Sequence, residues 1–170
     1  MFATETAPRA GFSHQRERQM PADARAELQR LFKAYDAACF DLDADAASAI
    51  YDLPCLISTS AGNTAFNARG ELRQALAQRF GAYRQQGIVC ASITALDLES
   101  VAPDFATARV VWTLSDRRGN DVVSVPRRYT LRRSDAAPGR PWRVAHVVNL
   151  ADPAARIATN GRHLLRLAGA

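Results

Sequence analysis

The sequence predicts an α+β domain in which helices come first and a bent antiparallel sheet follows. Three observations predict it. Apolar residues recur at spacings of three and four through the first half of the chain, the period of a helix with one buried face. After Gly87 the period falls to two, the mark of half-buried strands. In the first of those strands the alternation slips. Ile93 and Leu96 are three residues apart and cannot face one way on a regular pleat. A bulge near Ala95 reconciles them and bends the sheet.

Residues 1–20 are polar with little periodicity and read as a flexible arm. Pro21 opens the first helix, with Asp23 and Glu27 early in it, where the helix dipole favours anions. Its stripe is Leu28, Leu31, Phe32, Tyr35, Cys39 and Leu42. Asp43 suits the N-cap of a short second helix, Ala44 to Tyr51, which Pro54 is expected to end. Cys55–Ser60 and Thr64–Asn67 then flank Ala61-Gly62-Asn63, whose Gly and Asn tolerate positive φ and predict a hairpin turn. A third helix is predicted over Arg69–Gln86, with the stripe Leu72, Leu76, Phe80 and Tyr83 and Gly87 as its C′ residue. Gly81 inside it suggests a close approach by another element. Strands are predicted at Ile88–Val101, Ala106–Ser115, Val122–Arg133 and Trp142–Leu150, joined by links short enough for antiparallel neighbours. The domain thus spans 21–150. Asp152-Pro153 begins a helical tail over 151–170.

Strand parity sorts the side chains into two faces. Ala108, Val110, Trp112 and Leu114 share one. Val123, Val125, Tyr129 and Leu131 share another, and Arg127 falls among them. Two readings of Arg127 stand. A bulge at Pro126 turns it outward, the favoured reading because proline in a strand marks bulges; or the guanidinium points inward and needs a partner or an anion. On the last strand Trp142, Val144, His146 and Val148 have one parity and Arg143, Ala145, Val147 and Asn149 the other.

Composition narrows the function classes. The 170 residues suit one domain, and 48% hydrophobic with 23% charged is a globular balance. No apolar run approaches the roughly 18 residues of a membrane span. The N-terminus has no apolar signal core, so a cytoplasmic location is expected. Net charge is +5, carried by 21 Arg and one Lys spread along the chain, which points to genomic base composition rather than to a nucleic-acid patch. Cys39, Cys55 and Cys90 have apolar neighbours and no CxxC spacing, so they read as buried thiols. His14, His146 and His163 have no companions at metal-ligand spacing. Neither a metal nor a cofactor is expected, and no GxSxG, Walker or GxGxxG motif is present.

The order of elements, with the segments LQRLFKAYDAACFDLD, AIYDLPCLISTS, FNARGELRQALAQRFGAY and SITALDLESVAPDFATARVVWTL, resembles the NTF2-like superfamily. That superfamily includes steroid Δ-isomerase, scytalone dehydratase and SnoaL-like cyclases. The resemblance covers about residues 22–150. It implies a strongly curved sheet wrapped around the first and third helices as a cone, a mostly apolar pocket at the open end, and a homodimer through the outer sheet face. In the resembled isomerases a carboxylate base comes from the end of the first strand. Here Ser58 and Thr59 stand at the matching positions, so that chemistry is not copied. The resembled dehydratases and cyclases imply a His with an Asp. His146 would be the general acid/base, with Asp36 or Asp52 as its companion and Tyr35 or Tyr129 as hydrogen-bond donor to the substrate oxygen; the favoured reading of either tyrosine is instead a core aromatic with its hydroxyl satisfied. Three expectations follow. The first is a pocket protein binding a small apolar or aromatic molecule, lined by Tyr35, Ser58, Trp112, Arg127, Tyr129 and His146, with a ligand carboxylate near Arg127. The second is a lyase or isomerase using His146. The third is a dimerisation module whose cone its own side chains fill.

Overall fold

A computed structural model describes residues 20–135 and 139–151. The expected arm, Met20 excepted, and the expected helix from Asp152 lie outside these residues.

Helix α1 runs Ala22–Phe40. Pro21 precedes it with extended backbone, and its carbonyl accepts from Arg25 N at 3.0 Å. The predicted stripe is the buried one: Leu28, Leu31, Phe32, Tyr35 and Cys39. Helix α2, Ala44–Ala49, is capped by Asp43 as expected, its Oδ1 accepting from Asp45 N at 2.9 Å and Ala46 N at 3.1 Å. Pro54 does not end that helix. Strand β1, Tyr51–Thr59, has already begun and carries Pro54 inside it after a cis Leu53–Pro54 bond. The pairing of β1 tolerates this because its ladder stops at Tyr51 and resumes at Leu56. Gly62, at φ 136°, starts β2, Gly62–Phe66. Helix α3, Arg69–Gln85, ends before Gly87 at φ 79° and buries Leu72, Leu76, Phe80 and Tyr83. Gly81 is not a close-approach site: nothing lies within 4 Å of where a Cβ would stand.

Strands β3 (Ile88–Ala102), β4 (Phe105–Asp116), β5 (Asp121–Arg133) and β6 (Trp142–Asn149) complete one sheet in the order β2-β1-β6-β5-β4-β3. Neighbours are antiparallel except β1 and β6, whose parallel pairing joins the early hairpin to the late meander. The sheet is curved and unclosed, and α1 and α3 pack on its inner face.

Two of its several register shifts bear on the site. The expected one lies between Ile93 and Ala95. Its exposed turn of backbone is anchored from α1, where Asp36 Oδ1 accepts from Ile93 N at 2.6 Å. The second is on β6. Thr130 pairs with His146 but Leu131 with Val144, so Ala145 is an extra residue. No bulge occurs at Pro126: the β4–β5 register is unbroken from Val110↔Arg127 through Val111↔Pro126 to Trp112↔Val125. Leu150 N donates to Pro126 O, so the Pro126 nitrogen also faces the β6 side, where β6 runs out. The missing N–H therefore removes no interior ladder bond.

Candidate functional site

These two facts about register decide which side chains face inward. With no bulge at Pro126, Arg127 keeps the parity of Val125 and Tyr129 and is 8% exposed. With a bulge at Ala145, β6 changes face. Val147 and Asn149 turn in, and His146 turns out with Leu56 and Thr130, its register partners. Its Nε2 meets Ser58 Oγ at 2.9 Å on that outer side. The predicted inward His146 is thus corrected, and Ser58 goes with it.

The other predicted catalytic groups are already occupied. Asp36 holds the β3 bulge. Asp52, buried, accepts from Arg132 Nε at 2.6 Å and Ser134 Oγ at 2.8 Å. Tyr35 and Tyr51 share a hydroxyl–hydroxyl bond of 2.7 Å, and Trp112 Nε1 donates to Tyr129 OH at 2.8 Å. Tyr35 stands edge-on to Tyr51, Trp112 and Tyr129, with ring centroids 5.8, 5.2 and 6.1 Å away. Burial pushes the Tyr35, Tyr51 and Tyr129 phenols above their ordinary range and the Cys39 thiol up to about 12. These groups stay neutral and act as packed core. Trp112, Tyr35 and Tyr129 do turn inward as predicted, but they fill the interior rather than line a hollow. Only about 10 Å³ remains among Tyr35, Cys39, Phe80, Trp112 and Leu114, space for about one water.

A cavity larger than this void lies nearer the mouth. It has about 230 Å³, bounded by the β1–β2 turn (Thr59, Ser60, Ala61), the last turns of α3 (Arg79, Ala82, Tyr83, Gln86) and the strand ends at Arg127, Asn149 and Ala151. Arg79, Tyr83 and Arg127 border both this cavity and the inner void. Arg127 Nη2 donates to Tyr83 OH at 3.3 Å, and the guanidinium carbon lies 5.9 Å from the Trp112 ring centre. Among the described residues no acidic side chain lines either space. Among the described residues no carboxylate forms an ion pair with Arg127 or Arg79. The buried Asn149 Oδ1, on the residue opposite Arg127, also has no hydrogen-bond partner among the described residues. A guanidinium does not deprotonate in proteins, so the charge at Arg127 persists. The site can hold an anion.

A second groove, about 400 Å³, lies at the other end of β5 and β6, bordered by Glu27, Arg30, Arg133 and Trp142 among others. Its charge is partly answered internally. Arg133 Nη1 is 2.6 Å from Glu27 Oε2, and its guanidinium covers the Trp142 ring at 4.8 Å. Among the described residues no group of three or more His, Cys, Asp or Glu could hold a metal ion, and no helix is long and apolar enough to cross a membrane.

Residues 22–152 match the family described as NTF2-like protein (DUF6841). The chain belongs to this NTF2-like family. Solved structures share the NTF2-like fold at low identity. A protein of unknown function with a cystatin-like fold from Nostoc punctiforme has a TM-score of 0.60 and 17% identity, over 79% of this chain and 96% of that one. An NTF2-like protein of unknown function from Pseudomonas putida has 0.59 and 17%, over 76% and 87%. A protein from Novosphingobium aromaticivorans, provisionally named an aromatic ring hydroxylase, has 0.54 and 19%, over 79% and 94%. No curated protein matches the chain. The NTF2-like cone is therefore established by likeness, while its contents are this chain's own.

Sequence reasoning missed Arg79 and Asn149. Arg79 had a signal: it is three residues after Leu76 and four before Tyr83, so it borders the buried stripe of α3. Asn149 had none, because its face depends on the Ala145 bulge.

Proposed function

We propose that this NTF2-like domain binds a small aromatic or apolar molecule bearing a carboxylate or similar anion, with Arg127 as the receptor. One observation carries the reading: a buried guanidinium borders an open cavity that, among the described residues, has no acidic side chain. Burying an unpaired charge is costly, and an anionic ligand removes that cost. Tyr83 steadies the guanidinium from one side. The small Ala61, Ala82 and Ala151 leave room for a flat body toward the mouth. His146 has no part in this reading.

The test is a thermal-shift series with benzoate and 2-naphthoate against the neutral amides of the same size. A ligand specific to the folded state raises stability by about 2.7 kcal/mol at a hundredfold excess over Kd. The carboxylates are expected to raise Tm in the wild type and not in Arg127→Met. Equal shifts from acids and amides, or none from either, would sink the proposal.

The same reading includes a homodimer. Val111, Pro126 and Val148, half-exposed on the sheet face turned from the helices, support pairing of two copies there. Light scattering after gel filtration is expected to give twice the chain mass; a monomer at tens of micromolar contradicts it.

A further inference from the structure

Resting on the reading of the mouth cavity as an anion site, we infer that its ligand enters head first and that the head is a doubly charged oxyanion shared by Arg79 and Arg127. The two arginines come from different layers, Arg79 from α3 and Arg127 from β5, and converge on one boundary. Both line the mouth cavity and both line the inner void. Among the described residues neither has an ion-pair partner, and none of those lining either space is acidic. Both charges are also felt at the same interior groups, the Cys39 thiol and the Tyr51 phenol, where each opposes the upward push of burial. Their fields therefore point inward together.

Two fixed positive charges facing one space are matched by two negative charges, and a single carboxylate answers one. A phosphonate or phosphate monoester, or a pair of neighbouring carboxylates, supplies both. Such heads present oxygens enough for two guanidinium forks at once. The geometry also sets orientation. The inner void of about 10 Å³ admits an oxygen but no carbon skeleton, while the cavity of about 230 Å³ outside the arginines takes the body. The charged end thus sits deepest and the apolar end faces the mouth.

Titration calorimetry with benzoate and phenylphosphonate tests this, at a pH where the phosphonate carries two charges. The two probes share a ring and differ in head charge. Wild-type protein is expected to bind phenylphosphonate about tenfold more tightly, a difference of about 1.4 kcal/mol. Arg79→Gln, a change at a half-exposed position, is expected to bring the two affinities together while benzoate still binds. Arg127→Met is expected to abolish both. Benzoate binding with no phosphonate preference, or a preference that survives Arg79→Gln, overturns the dianion inference and leaves the carboxylate site standing. Failure of both probes in the wild type overturns the site itself.

Discussion

Arg127 is the residue on which stability and function part company. Its charge is buried, and it donates a hydrogen bond to the Tyr83 hydroxyl. Replacing a buried ionic group by an apolar side chain of similar length is often neutral or stabilising, by about 1–4 kcal/mol. Arg127→Met is therefore expected to melt at or above the wild-type temperature while losing anion binding. A melting point lower by 5 °C or more would show that the guanidinium is structural. Buried acids give a second residue-scale expectation. Burial raises the Cys39 thiol from an ordinary value near 9 to about 12 and the Cys55 thiol to about 11, and raises the Tyr35 and Tyr129 phenols. In the unfolded chain these groups lose protons first, so above that pH the unfolded state binds fewer protons than the native state. Stability is then full below about pH 9 and falls as pH rises toward 12. Near-UV circular dichroism against pH checks it; a flat stability from pH 9 to 11 contradicts it.

At the scale of elements, the bulges carry the argument. The Ile93–Ala95 bulge was legible from the three-residue gap between two apolar positions, because a pleat cannot place both inward. The Ala145 bulge was not. Trp142, Val144, His146 and Val148 alternate perfectly well as written, and Val147 offers an equally apolar alternative. Only the pairing with β1 and β5 chooses between the two phases. That single slip moves His146 out and Asn149 in. Pro126 misled in the opposite sense. Its missing N–H was harmless because β6 stops beside it, a fact about the neighbouring strand and not about β5. The first bulge also gives a prediction. Asp36→Ala removes the acceptor of Ile93 N, and an unsatisfied amide of this kind costs about 1–3 kcal/mol. Chemical denaturation is expected to show that loss, with faster hydrogen exchange at the Ile93 amide. Unchanged exchange there would mean the carboxylate does not anchor the bend.

At the scale of the whole molecule, the helix order, the hairpin and the meander were readable from period and turn residues, and the NTF2-like cone follows from them. What the sequence could not show was how full the cone is. Tyr35, Trp112 and Tyr129 all have the inward parity predicted for a pocket lining, but parity fixes direction and not separation. Their edge-to-face contacts close the interior, and the open volume moves to the mouth, where α3 and the β1–β2 turn supply residues that no strand pattern singles out. The central claim is that this mouth cavity seats an anion on Arg127. A crystal structure grown with 4-bromobenzoate tests it most directly, since anomalous scattering locates the bromine. The carboxylate is expected within hydrogen-bond reach of Arg127 and the bromine toward Ala61 and Ala151. A bromine buried beside Trp112, or a cavity that stays empty at saturating ligand, would contradict it.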